Sequence, residues 1–422
     1  MALNFKNLFV YITIVSTILS SVLYVGVASL YHFCIAIAFI IAWNHKNLRL
    51  ENICKTNEML QFMLIWFVYS IFSLIWAPDK KLCIQYIYYI LLIFLYFCVM
   101  IDHIDEREKI YKMVHFFIIL SVVATTIGLW EASTGKHLLK DYIDTEGRLK
   151  LQYMPGFTYR NPNDFAMFLL QMFPFILYGM IYEKRLLFKI MSIYSVLTTF
   201  ICVAACQSRT ILIVILIFSL VTVLKMFQDK WGRILFAIIA IAIVLSSVPQ
   251  FSTWLKDALV DLDAKNLQTS ISTEGNSGLV RINLAKNGVL MCLQTVGLGV
   301  GAGCHRVVMN EYSKNFYNVG HVSVAHNFLI ELLADYGIFV FIFFFLSMFY
   351  FIRKLKYLQN NLKNCNDRNL AFFLKWSVLL FPIGAISSSS MMQLTSLWGT
   401  IGFAIAFIEY HIRVEHEEVD IK

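Results

Sequence analysis

His326 and Asn327 open a segment that continues through Leu329, Glu331, Asp335 and Gly337 into a continuous apolar run. Imidazole is the side chain best suited to take or give a proton near neutral pH, so His326 is a candidate general base or acid and Asn327 a supporting group. A cap or an interfacial polar contact at a helix start would use the same residues. Glu331 and Asp335 follow His326 on the same expected helix, and either can orient the ring. Glu331, five residues on, fits the helical face poorly.

Three arginines stand where an anion could be held. Arg281 follows Ser277 and precedes apolar residues at Ile282, Ala285, Val289 and Cys292 or Leu293, the spacing of an amphipathic helix. At such a helix start, backbone dipole and guanidinium together favour a diphosphate; alternatively the helix lies on a membrane surface with Arg281 and Lys286 solvated. Arg209, in Gln207-Ser208-Arg209-Thr210, is a single charge between two apolar runs. It either snorkels to the headgroups or, the reading favoured here, faces the interior to meet a substrate phosphate. Arg160 sits in Tyr159-Arg160-Asn161-Pro162-Asn163-Asp164, where Asn163 or Asp164 is the expected N-cap and Pro162 ends the preceding turn. A guanidinium beside that helix start makes a positive pocket. The run Gly297-Leu298-Gly299-Val300-Gly301-Ala302-Gly303 satisfies a dinucleotide-binding spacing, but no strand, helix and acidic residue surround it as that motif requires. A flexible, tightly turning loop is expected instead.

The elements that must position these groups are membrane helices. Of 422 residues, 59% are apolar and 15% charged, more apolar surface than a soluble core absorbs. Apolar runs near 8–25, 27–43, 59–76, 82–100, 112–130, 164–182, 187–206, 209–226, 232–248, 326–352, 370–388 and 391–409 are each long enough to cross a bilayer, and lipid leaves their backbone no partner but its own helix. The first run lacks a small-x-small cleavage site and is read as a retained helix. The expected architecture is thus all-α: one polytopic membrane domain over residues 1–422, about 12 transmembrane helices, and a long extracytoplasmic loop, 249–325, between spans nine and ten. Placing both termini in the cytoplasm assigns 21 of the 35 lysines and arginines to cytoplasmic segments, as the positive-inside rule favours. The net charge of +8 is then mostly a topology signal, and nucleic-acid binding is not expected. Nine cysteines without a CxxC pair indicate neither zinc nor a disulfide framework, and Cys202 and Cys206, four apart, read as packing residues.

Taken together, the segment Arg160–Asp164, the triplet Ser208–Thr210, the helix led by Arg281, the glycine turn and the stretch His326–Gly337 resemble the O-antigen ligase and polymerase superfamily, in order and spacing. The family's C-terminal region would run over 281–351. The resemblance implies a metal-independent glycosyltransferase, with no cofactor, that moves a glycan from undecaprenyl diphosphate to a sugar hydroxyl on the outer face of the bacterial cytoplasmic (inner) membrane. It further implies that Arg209 and Arg281 hold the diphosphate and that His326 activates the acceptor, with Arg160 and His321 as weaker matches. By family analogy a chain-length-regulating co-polymerase is a partner, besides membrane lipid. A polymerase of repeat units is the preferred reading. A ligase of finished chains shares the fold and site, and a lipid-linked-sugar transporter or flippase would instead place polar, Gly/Pro-broken positions at midmembrane in matching halves.

Overall fold

The computed structural model describes residues 5–25, 28–43, 57–139, 152–226, 277–311, 316–319, 325–388 and 391–420. The helices are α1 (Phe5–Ile18), α2 (Leu30–Trp43), α3 (Glu58–Ser73), α4 (Lys80–His103), α5 (Arg107–Thr134), α6 (Pro162–Tyr182), α7 (Leu186–Ala205), α8 (Arg209–Met226), α9 (Ser277–Gln294), α10 (His305–Glu311), α11 (Phe328–Asn361), α12 (Cys365–Gly384) and α13 (Gly399–Asp420). A two-residue antiparallel pair, Tyr24–Val25 with Ala28–Ser29, joins α1 to α2. Among the described residues six helices, α4 to α8 and α11, are long and apolar enough to cross a membrane, and the apolar Lys6–Ile18, α2 and α3 are shorter. Isoleucines, leucines and phenylalanines such as Ile40, Ile75, Leu197, Phe339 and Phe349 stand exposed around the bundle, which suits hydrocarbon and not water. The chain is a multi-pass membrane protein, and its described residues are helical apart from that short strand pair and the connecting turns.

Several expected boundaries move, each for a local reason. The first span stops at Ile18, where a 3-10 turn over Leu19–Ser21 carries the chain into the short strand pair. The last is not helical from 391: Met391 to Leu394 are irregular, Thr395–Trp398 forms a 3-10 turn, and the helix runs from Gly399 to Asp420. The tenth continues past 352 to Asn361, because the basic residues expected in a loop sit on the helix and Lys354 bridges Glu58 at 2.8 Å. Asn161, not Asn163 or Asp164, caps α6, its side chain accepting from the Asn163 N–H at 2.9 Å. Pro162 begins that helix, since its fixed φ and missing N–H suit the first position. The expected span 232–248 lies outside the described residues.

Polar contacts sort to two ends of the bundle. At one, Lys6 pairs with Asp102 at 2.8 Å, Arg107 with Asp367 at 3.1 Å, and Arg413 donates to the Ile104 carbonyl at 2.6 Å. Between the ends lies an aromatic core in which Trp398 meets Phe328 at 5.6 Å and Phe381 at 5.2 Å, and Trp66 meets Tyr336 at 5.4 Å. Phe328 is the first residue of α11, so this core fixes where α11 begins.

Candidate active site

At the opposite end, α11 is a helix with a flaw in it. Gly337 has φ 75° and ψ −174°, and the break frees backbone groups that the glycine turn fills. The Ile338 N–H donates to the Gly297 carbonyl at 2.9 Å, while the Val300 and Gly301 N–H groups donate to the carbonyls of Ala334 and Asp335 at 2.9 and 3.0 Å. A Cβ on Gly299 would stand 2.6 Å from the Asp335 carbonyl oxygen, so backbone meets backbone and only glycine fits. Tyr69 and Trp76 donate to the carbonyls of Leu298 and Gly299 at 2.6 and 2.9 Å from the α3 corner. The turn is therefore a pinned connector, not a free loop.

That docking delivers α10 to the broken helix. Asp335 accepts from the His305 backbone N–H at 2.8 Å with one oxygen and from His305 Nδ1 at 2.9 Å with the other, which caps α10 and fixes the ring. Burial alone would lower the His305 pKa; the Asp335 carboxylate outweighs it and holds the imidazole above its ordinary value. Nε2 of His305 is buried without a partner, and the ring borders a small cavity with Leu284, Asn287, Met291 and Ile330. One residue on, Arg306 donates to the Tyr86 hydroxyl from α4, which also receives Gln393 Nε2 at 3.3 Å. Glu331, buried on α11, hydrogen-bonds to the same tyrosine.

His326 lies two residues before α11 with φ 47°, a sparsely populated conformation for a residue with a Cβ. Asn327 is the N-cap, accepting from the N–H groups of Leu329 and Ile330 at 3.0 and 3.4 Å. Burial, then the charges of Arg281 and Arg306, push the His326 pKa down to about 4. The ring is thus neutral across the physiological range and can accept a proton, and two guanidinium groups lie close enough to act on it. Arg281 is exposed on α9, which is helical from Ser277 and held to the chain beyond α10 by Asn283 and Asn287, donating to the carbonyls of Asn318 and Tyr317 at 2.8 and 3.0 Å.

The carboxylate roles differ from expectation. Asp335 orients His305 and not His326, because the glycine turn docked on the Ala334 and Asp335 carbonyls delivers the start of α10 to that carboxylate. Arg160 and Arg209 are both exposed, Arg209 as the first residue of α8 and not facing the interior among the described residues; Asn163 is half-buried next to the α6 cap. His321 lies outside the described residues. Cys202 and Cys206 are buried, their sulfurs near the carbonyls of Thr125 and Pro155 at 3.5 and 3.4 Å, as packing residues would be. His305, Glu331 and Asp335 each bring one donor atom within 4.8 Å of the others, a set a divalent cation could use. Two of those carboxylate oxygens already receive His305 donors.

His305, Arg306, Tyr86 and Gln393 are absent from the sequence-derived site. His305 and Arg306 do follow the glycine turn directly, and a turn built for close backbone approach is a signal that its neighbours are being aimed. Nothing in the apolar run around Tyr86 marks it.

Residues 193–345 match the O-Antigen ligase family, a stretch that holds Arg209, Arg281, His305, Arg306, His326 and Asp335. Over 356 residues, 84% of this chain and 72% of the relative, the protein is 25% identical to the teichuronic acid biosynthesis protein TuaE of Bacillus subtilis (strain 168). These matches, with the helical membrane bundle and the order of its site residues, make the chain similar to the O-antigen ligase and polymerase superfamily.

Proposed function

We propose that this protein is a polysaccharide polymerase that transfers an undecaprenyl-diphosphate-linked glycan to a sugar hydroxyl during surface polysaccharide synthesis. The arrangement that carries the reading is a histidine, His326, held at φ 47° beside the Asn327 cap of a broken membrane helix, with the charges of Arg281 and Arg306 acting on it. In the reaction, the acceptor oxygen bonds to the anomeric carbon of the donor sugar as the bond from that carbon to the diphosphate oxygen breaks. The electron pair leaves on the diphosphate and the hydroxyl proton passes to His326. Cations fixed near the leaving group stabilise charge that develops in the transition state more than they stabilise the ground state. A positioned base contributes about 100-fold to 10,000-fold. Burial first, and the two guanidinium charges second, make His326 a weak base in the free enzyme; a bound diphosphate neutralises the charges and so raises the proton affinity of the ring.

Arg281 is assigned to the diphosphate, with Arg209 and Arg160 as further contacts at the outer helix ends. Twelve spans with cytoplasmic termini and the long loop outside remain the proposed topology; the segregation of Lys6, Arg107, Lys354 and Arg413 away from His326 supports it. A chain-length-regulating co-polymerase is the proposed protein partner. The name of the family region supports a second reading, ligation of finished chains, with the same chemistry and a different acceptor. A gel ladder of surface polysaccharide from a deletion strain, complemented with wild type or His326→Ala, separates them. Single repeat units left on their usual anchor support the polymerase; long polymer stranded on undecaprenyl diphosphate means a ligase.

A further inference from the structure

Arg306 is held in a way that structural need alone does not explain. Its Nε is buried without a hydrogen-bond partner, and among the described residues no carboxylate is ion-paired with it. One N–H goes to the Tyr86 hydroxyl, whose ring lies 5.7 Å from the guanidinium carbon. A half-buried cation with a donor left over is costly next to a membrane unless an anion completes it. The two acids nearest by charge are engaged elsewhere: Asp335 with both donors of His305, Glu331 with Tyr86. Arg306 stands in the first turn of α10, whose start is clasped by Asp335 of α11, the helix that begins just after His326, and its charge acts on that ring together with that of Arg281.

We infer that Arg306 is a phosphate-binding residue of the donor site, meeting the lipid-linked diphosphate together with Arg281 while Tyr86 orients its planar fork. The inference rests on the glycosyltransferase reading above and extends it to residues that the sequence did not single out. Tyr86 and the His305–Asp335 clasp are positioning residues: the clasp sets α10 and the tyrosine sets the guanidinium plane. Two arginines match a diphosphate better than one, because each can meet a separate phosphate with paired N–H donors.

The test uses the full chain in phosphatidylcholine nanodiscs with undecaprenyl diphosphate as probe and undecaprenyl monophosphate as control. Wild type should bind the diphosphate, and Arg306→Gln and Arg281→Gln should each weaken it at least tenfold with less effect on the monophosphate. Arg306→Lys should recover part of the loss, since it restores charge without the fork, and Tyr86→Phe should fall between. An Arg306 that merely counters buried carboxylates would shift the melting temperature and leave the dissociation constant alone. Should Arg306→Gln not fold, Arg306→Lys and Tyr86→Phe decide: both binding like wild type overturns the inference. Arg306→Gln binding like wild type while Arg281→Gln is weakened also overturns it, and leaves the glycosyltransferase reading intact. Wild type that does not bind the diphosphate at all overturns both.

Discussion

At His326 two demands oppose each other, because the cations that hold a diphosphate also discourage the imidazole from taking a proton. A free-enzyme pKa near 4 means that the basic form is present above that value and lost below it. The profile of kcat/KM should therefore be flat from pH 8 to about 5 and fall toward 4, while kcat, which reports the substrate complex, should fall at a higher pH. A kcat/KM midpoint at the ordinary histidine value would contradict the geometry. His326→Ala should abolish polymer while leaving membrane insertion unchanged. His305 carries the opposite sign. Its pKa is raised from 6.5, so the stabilisation it shares with Asp335 is fully present below 6.5 and is lost as pH rises through the raised value. Thermal unfolding of wild type followed across that rise should show a decline that Asp335→Asn lacks.

The element that decides the site is the broken α11 with the glycine turn seated in it. Gly299→Ala meets the Asp335 carbonyl at 2.6 Å and must also adopt φ 79°. Backbone strain of roughly 1–3 kcal/mol and overpacking of a similar size should add, so polymer yield should collapse while the bundle still inserts. Gel ladders alongside detergent-solubilised thermal unfolding would check this, and an active Gly299→Ala would mean that the turn is not what aims α10. The caps give a finer comparison. Asn161→Ala removes the α6 cap and should cost about 1 kcal/mol, whereas Asn163→Ala, whose backbone and not side chain makes the contact, should be close to neutral. Capping was legible in the string Arg160–Asp164, but its register was not: choosing among three neighbouring Asx residues depends on where the preceding loop delivers the chain.

For the whole molecule the open matter is orientation, and the cysteines supply a probe. Cys365 is the exposed one among the described cysteines, at the start of α12, while Cys34, Cys83, Cys98, Cys202, Cys206, Cys292 and Cys304 are buried. In a Cys54→Ser background, a membrane-impermeant maleimide should label Cys365 only after the inner membrane is permeabilised, as cytoplasmic termini require. Labelling in intact spheroplasts would invert the topology and move the His326 cluster to the cytoplasmic face, away from a donor presented outside.

Sequence alone determined what depends on composition and local pattern. Apolar runs of membrane-spanning length fix a helical multi-pass chain because lipid offers the backbone no other partner. The cap of α11 was legible, since Asn327 stands at a helix start with His326 just before it, whereas Arg281 is the fifth residue of α9 and not at its start. Only the tertiary structure decided which acid meets which histidine. Helical spacing could offer Asp335 only to His326 on its own segment; the glycine turn seated against α11 brings His305 to it instead. Likewise Tyr86 and Arg306, 220 residues apart, are brought together by α4 packing beside the docked turn, a contact that no local spacing encodes.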